Sequence, residues 1–169
     1  IVFDKTGTLT KGEFEVNELL TADGVSEAEL LEVAAYAENF SDHPIAASIK
    51  RAFAKEGNEI AAERISDVKE VAGHGIRILL DGAEVFAGNE KLLSDNSIAA
   101  VPTEKPGTVV YVAKNGSYMG CVIISDTIKP EARQAIKSLK QAGVKQTVML
   151  TGDRKKAGEA VAKELGIDT

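Results

Sequence analysis

The sequence predicts two architectures in one chain: an open α/β unit with a parallel sheet built from both ends, and between them an inserted α+β unit whose antiparallel sheet is flanked by helices. Three observations predict this. The apolar run Ile1-Val2-Phe3 stops abruptly at Asp4, and a second run, Val144 to Leu150, stops at Thr151-Gly152-Asp153, so two short strands each end in small, hydroxyl-bearing and acidic residues. Helical periodicity surrounds the second run. From Ile65 to Ile124 the texture is instead that of short strands, broken by Asp81-Gly82 and Asn115-Gly116, both hairpin dipeptides. The expected boundaries assign residues 1–10 and 125–169 to the α/β unit and 11–124 to the insert.

Taken in order, the turn at Lys11-Gly12 leads into an alternating segment, Glu13 to Thr21, that reads as a strand. Ser26 and Glu29 form a capping-box pattern, and Leu30, Leu31, Val33, Ala34 and Ala37 follow at helical spacing, predicting a helix over about 27–39. Ser41 or Asp42 is the expected cap of a second helix with Pro44 in its first turn and Gly57 at its end. Strands follow over about 65–71, 75–80 and 83–87, then a short helix opened by Asn89, a loop over 101–106, and strands over 108–113 and 118–124. Beyond Ser125-Asp126 the pattern changes again. A helix from Pro130 to Gln141 ends at Gly143, the strand Val144 to Leu150 follows, and a last helix of about 155–165 stops at Gly166.

Composition sets the limits within which these elements act. At 169 residues, 44% hydrophobic and 27% charged, the chain is long enough for one domain or two small ones with real cores. A net charge of −6 and a pI near 5.1 argue against nucleic acid or an anionic membrane as partner. Cys121 is the single cysteine, which excludes a disulfide framework within the chain and suggests a reducing compartment. No run approaches the roughly 20 apolar residues of a membrane span. Starting inside a strand, the chain reads as a piece of a longer protein.

Asp4 is the candidate nucleophile. A strand ending in an acid puts a carboxylate at the carboxyl edge of a parallel sheet, where open α/β folds bind ligands. Gly7 with Thr6, Thr8 and Thr10 supplies a tight turn, free amides and hydroxyls suited to a phosphoryl group. Attack on the terminal phosphate of ATP would give an aspartyl-phosphate, with Lys5 and a hard cation such as Mg2+ neutralising the transferring charge. Two residues on stands Thr6, where an acid would be needed to protonate a leaving group and activate water, so the phosphoenzyme should be long-lived. Asp4 to Thr10 reads DKTGTLT and resembles the phosphorylation signature of the P-type ATPases. The resemblance implies that Thr151-Gly152-Asp153 is the accompanying TGD motif beside Asp4, gripping the phosphoryl oxygens. It further implies that Asp4 and Thr6 help hold the Mg2+, a remaining ligand lying beyond Thr169, and that this length of chain binds nucleotide without turning it over.

The insert carries a second constellation. Glu38, five residues before His43-Pro44, together with Gly73-His74-Gly75-Ile76 and Gly88-Asn89, is similar to the ATP site of the heavy-metal (type IB) branch, whose hallmark here is the His-Pro pair. On that resemblance Glu38 and His43 lie by the adenine, the Gly73–Gly75 stretch and Ile76 let base or ribose approach the backbone, and Asn89 adds a polar contact. Asp126 reads either as a cap on the helix near Pro130 or, with Lys129, as part of nucleotide placement and of a hinge between the two crossings.

The resemblance covers essentially the whole chain and implies the cytosolic part of an integral membrane pump. Such a pump drives export of a metal ion through an aspartyl-phosphate, with ATP and Mg2+ as cofactors. Zinc, cadmium or lead is favoured over copper by the Gly12 to Val16 and Ile124-Ser125-Asp126 textures. The transported ion would be bound by membrane segments outside this sequence. Two alternatives stay open: a soluble haloacid-dehalogenase-like phosphatase or phosphotransferase with the insert as its cap, and a non-catalytic nucleotide-sensing module.

Overall fold

The computed structural model describes residues 1–152 and 155–168, without the side chains of residues 155–157. The chain divides into two compact units, one of residues 1–14, 105–107 and 126–169, the other of residues 15–104 and 108–125.

In the first unit, β1 (Val2–Asp4) pairs in parallel with β8 (Val148–Leu150). Strand alternation turns Phe3 and Met149 inward, against Leu9, Ala132, Ile136, Ala162, Leu165 and Ile167. Two helices supply most of that layer: α4 (Ala132–Gln141) and α5 (Lys155–Leu165). The apolar run expected over 144–150 is a strand only from Val148. Thr147, fully buried, instead joins the Asp168 carboxylate through its amide at 2.9 Å and its hydroxyl at 2.8 Å.

The second sheet has six strands in the order β2-β7-β6-β5-β4-β3. Its members are β2 (Thr10–Thr21), β3 (Ile65–Val71), β4 (Gly75–Leu80), β5 (Ala83–Gly88), β6 (Thr108–Lys114) and β7 (Ser117–Ile128), with neighbouring strands from β3 to β7 antiparallel. Asp81 (φ 51°) and Asn115 (φ 50°) take the left-handed conformation that a two-residue hairpin demands, each followed by its glycine. On one face, α3 (Glu90–Asp95) inserts Leu92 and Leu93 among Phe86, Tyr111, Cys121 and Ile123. Cys121 is therefore a small core residue. Helices α1 (Glu27–Ala37) and α2 (Pro44–Lys55) pair with each other, and α1 contacts β4, β5 and β6. Ser26 caps α1 by accepting the Glu29 amide at 3.1 Å, as the capping-box pattern predicts.

Boundaries near the candidate site residues also differ from the sequence expectation. α1 ends at Ala37, and Glu38–Phe40 forms a separate 3-10 turn, so Glu38 is a connector residue instead of the last turn of a helix. The cap of α2 is His43, not Ser41 or Asp42: its Nδ1 accepts the Ile45 amide at 3.2 Å. Finally, β7 runs on to Ile128 and α4 starts at Ala132, so Asp126 lies within a strand and caps no helix.

Candidate functional site

The register of the two parallel strands builds the first site. Val2 stands opposite Val148, Phe3 opposite Met149 and Asp4 opposite Leu150. Because both strands point the same way and end level, Lys5-Thr6-Gly7-Thr8 and Thr151-Gly152 leave the sheet at one edge. Asp4, Thr6, Thr8 and Gly152 are exposed there, and Thr151 is half-buried. Asp153 lies outside the described residues. Lys5 has the opposite placement from Asp4: its side chain is only 7% exposed, so the cation expected to face the phosphoryl group is an inward residue.

The turn after Asp4 is held from below. Thr6 is extended (φ −73°, ψ 124°) and Gly7 is left-handed (φ 76°), a reversal that favours glycine. The buried Thr10 hydroxyl lies 2.5 Å from Asp126 Oδ2 and 3.0 Å from the Lys5 carbonyl, and accepts the Gly7 amide at 3.3 Å. Asp126 Oδ1 accepts the Gly12 amide at 2.9 Å. Lys129 closes the ring, its ammonium donating to the Gly7 carbonyl at 2.8 Å and its amide to the Leu9 carbonyl at 3.0 Å. Asp126 and Lys129, read from the sequence as nucleotide and hinge residues, have these groups engaged on the signature turn itself.

For Mg2+, the donors at this edge are hard oxygens, the exposed Asp4 carboxylate and Thr6. Among the described residues no group of three His, Cys, Asp or Glu is placed to hold a metal ion. The described residues of this edge therefore fit an ion that keeps most of its waters and is shared with a phosphate.

The second constellation lies in the other unit. Gly75 pairs with Gly88 and Ile76 with Ala87 across β4 and β5. A Cβ on Gly75 would stand 2.2 Å from the Ala87 carbonyl oxygen, so that glycine is required by strand against strand. This requirement stands beside the reason inferred from sequence, that a side chain would hold a ligand away. At Gly73, by contrast, a Cβ would meet nothing within 4 Å, and only its positive φ favours glycine. Ile76 is 6% exposed and lies between its partners Glu70 and Ala87 in the sheet, so it belongs to the core. Asn89 caps α3 by accepting the Leu92 amide at 3.0 Å and donates to the Gly73 carbonyl at 3.0 Å, which fixes the glycine turn to the helix start.

Glu38, His43 and Pro44 are grouped by a short, tied segment. The Ser41 amide donates to the Glu38 carbonyl at 3.1 Å, and the His43 amide donates to the Ser41 hydroxyl at 3.3 Å. Burial pushes the Glu38 carboxyl above its ordinary range, opposed by the Lys50 ammonium and the Ser41 hydroxyl. Since His43 Nδ1 accepts the Ile45 amide, the neutral ring carries its proton on Nε2, where an exposed imidazole can donate to a ligand. Pro44 holds the first turn of α2. Two residues here escape the sequence pattern. Phe40, 55% exposed, is an aromatic on the 3-10 turn between Glu38 and His43. Lys50 sits seven residues beyond His43, two helical turns along the same face, and that spacing was the available signal.

Among the described residues no helix is long and apolar enough to cross a membrane. The profile described as "Hydrolase: haloacid dehalogenase-like hydrolase" matches residues 1–169. A cadmium, zinc and cobalt-transporting ATPase of Bacillus subtilis is 51% identical over 166 residues, covering 98% of this chain and 23% of its own length. Among solved structures, a zinc-transporting PIB-type ATPase in its E2·Pi state superposes with a TM-score of 0.82 at 34% identity, over 98% of this chain and 28% of that one. The catalytic domain of the CPx-ATPase CopB-B, whose conformational changes upon nucleotide binding were described, matches at TM-score 0.72 and 28% identity over 99% of this chain and 59% of that one. The chain thus spans about a quarter of the length of the curated relative it matches. With a profile match along its whole length, the chain belongs to the haloacid dehalogenase-like hydrolase family.

Proposed function

We propose that this chain is the ATP-binding and phosphoryl-accepting cytosolic part of a heavy-metal P-type ATPase. Asp4 takes the terminal phosphoryl group of ATP, and the aspartyl-phosphate drives export of a metal ion across the cell membrane. The observation that carries the reading is the level, parallel ending of β1 and β8, which brings the Asp4-Lys5-Thr6-Gly7-Thr8 turn and Thr151-Gly152 to one edge. A phosphatase of the same family would need a general acid two residues after its nucleophile, and Thr6 supplies none.

In this mechanism the Asp4 carboxylate attacks phosphorus in line with the departing ADP oxygen, forming one O–P bond as the other breaks. Thr6, Thr8, Thr151 and the Gly152 amide donate to the equatorial oxygens, and the tied turn keeps Thr6 and Thr8 in place. Mg2+, when bound, neutralises charge on the transferring group. With Thr6 standing two residues after Asp4, where an acid would activate water, the phosphoenzyme persists. In the insert, Glu38 accepts from the adenine amino group, His43 donates through Nε2, and the open turn at Gly73 admits the nucleotide against backbone. Transport of zinc or cadmium in preference to copper rests on the metals named for the similar Bacillus and PIB-type proteins.

The test is acid-stable labelling of the intact protein with γ-phosphate-labelled ATP. Label that hydroxylamine releases and Asp4→Asn abolishes supports the reading. Rapid hydrolysis of small phosphate esters without a trapped phosphoenzyme would favour the soluble phosphatase.

A further inference from the structure

Lys50 is the residue on which the segment between Glu38 and His43 hangs. Its ammonium donates to the Ser41 carbonyl at 2.9 Å and to the Asn39 carbonyl at 3.2 Å, two bonds from one helical side chain to a connector with no ladder of its own. Lys50 belongs to α2, which His43 caps, so the same helix anchors the segment at both its end and its middle. The Ser41 residue held in this way also accepts the His43 amide on its hydroxyl, which in turn bonds the Glu38 carboxyl.

We infer that Lys50 is a positioning residue for nucleotide binding: by tying the Asn39 and Ser41 carbonyls it holds Glu38 and His43 in one fixed relation for an adenine nucleotide. The inference rests on the nucleotide reading of this site. Lys50 itself touches no ligand in this role. Its action is through the segment and through charge. The two helices packed against the turn bear Glu27, Glu29, Glu32 and Tyr36 on α1 and Lys50, Arg51 and Lys55 on α2, and the connector adds Asp42 and His43. Of these charged groups, Lys50 is the one that acts on Glu38, opposing its burial, with the uncharged Ser41 hydroxyl as second partner. Removing the Lys50 ammonium would leave the burial of Glu38 less opposed and raise its carboxyl further, weakening it as an acceptor for an adenine amino group.

The experiment compares wild type, Lys50→Met and Lys50→Arg of this chain. It measures ATP affinity by calorimetry from acid to neutral pH and titrates the Glu38 carboxyl by carbon-detected NMR without nucleotide. Lys50→Met keeps the aliphatic stem but removes charge and donors. It should weaken ATP binding about tenfold near neutrality. The pH at which binding fails should rise by roughly one unit, with Lys50→Arg restoring most of both. If Lys50→Met does not fold, Lys50→Gln carries the same comparison. Unchanged affinity, or a uniform loss with the pH profile and the Glu38 titration unmoved, would overturn the inference and leave Lys50 a packing residue. Absence of ATP binding by wild type at every pH would instead remove the nucleotide reading on which the inference stands.

Discussion

The carboxylate of Asp126 holds the strand that leaves the turn after the candidate nucleophile: Oδ2 lies 2.5 Å from the Thr10 hydroxyl, and Oδ1 accepts the Gly12 amide at 2.9 Å. Asp126 and Thr10 are 8% and 0% exposed, so neither can exchange these bonds for water without cost. Asp126→Ala would leave the Gly12 amide without its acceptor and the Thr10 hydroxyl with only the Lys5 carbonyl, a loss of about 1–3 kcal/mol. The expected result is slower phosphoenzyme formation in the intact protein, with ATP affinity of the insert unchanged. Calorimetry alongside acid-stable labelling separates the two, and a loss of ATP affinity equal to the loss of labelling would return Asp126 to the nucleotide site.

Two glycines of one short stretch should respond in different ways. At Gly75 (φ 140°) any side chain meets the Ala87 carbonyl and the Gly88 backbone, so Gly75→Val should destabilise the insert by about 3 kcal/mol or more, seen as a lowered melting temperature. Gly73 has open space and only its φ of 72° to defend, so Gly73→Ala should cost about 1 kcal/mol. If nucleotide binds against Gly73, that mild change should still reduce ATP affinity. Equal melting temperatures for the two variants would contradict this account.

The two ends of the parallel sheet were legible in the sequence because each apolar run stops at a polar cluster, and nothing else in an α/β chain does that twice in this way. The antiparallel middle was legible from Asp81-Gly82 and Asn115-Gly116, whose backbone demands are local. What was not legible depends on contacts remote in sequence. The cap of the second helix is a local exception: Ser41 and Asp42 are the preferred residue types, yet it is His43 that reaches the Ile45 amide. The inward placement of Lys5, the reason for Gly75 and the task of Asp126 each depend on partners that topology alone brings near, at Ala87 for one and at Thr10 and Gly12 for another.

Glu38 should make the insert more stable in mild acid. Its folded-state carboxyl is raised by burial, so the native state binds a proton more tightly than the unfolded chain. The contribution is fully favourable below the ordinary carboxylate range and is lost as pH rises through the raised value. Glu38→Gln, neutral at every pH, should therefore be more stable than wild type at pH 7, the advantage vanishing below the ordinary range. Thermal melts over a pH series measure the difference, and an advantage that does not change with pH would contradict the assigned cause.

Asp168 acts with the opposite sign in the other unit. The Lys140 ammonium at 2.6 Å, with the amide and hydroxyl of Thr147, pulls its carboxyl down to about 2 from an ordinary value near 3.8. Its contribution is present above that ordinary value and is lost as pH falls through about 2. Asp168→Asn should lower stability at neutral pH, and the gap from wild type should close between about pH 4 and pH 2. Because Glu38 and Asp168 lie in different units, the two halves should respond oppositely to acid. Amide hydrogen exchange resolved by residue checks this directly: from pH 6 toward pH 4 protection near Glu38 should rise, whereas protection around Thr147 should hold until the pH falls further. Parallel loss in both units would mean that neither carboxyl governs its surroundings.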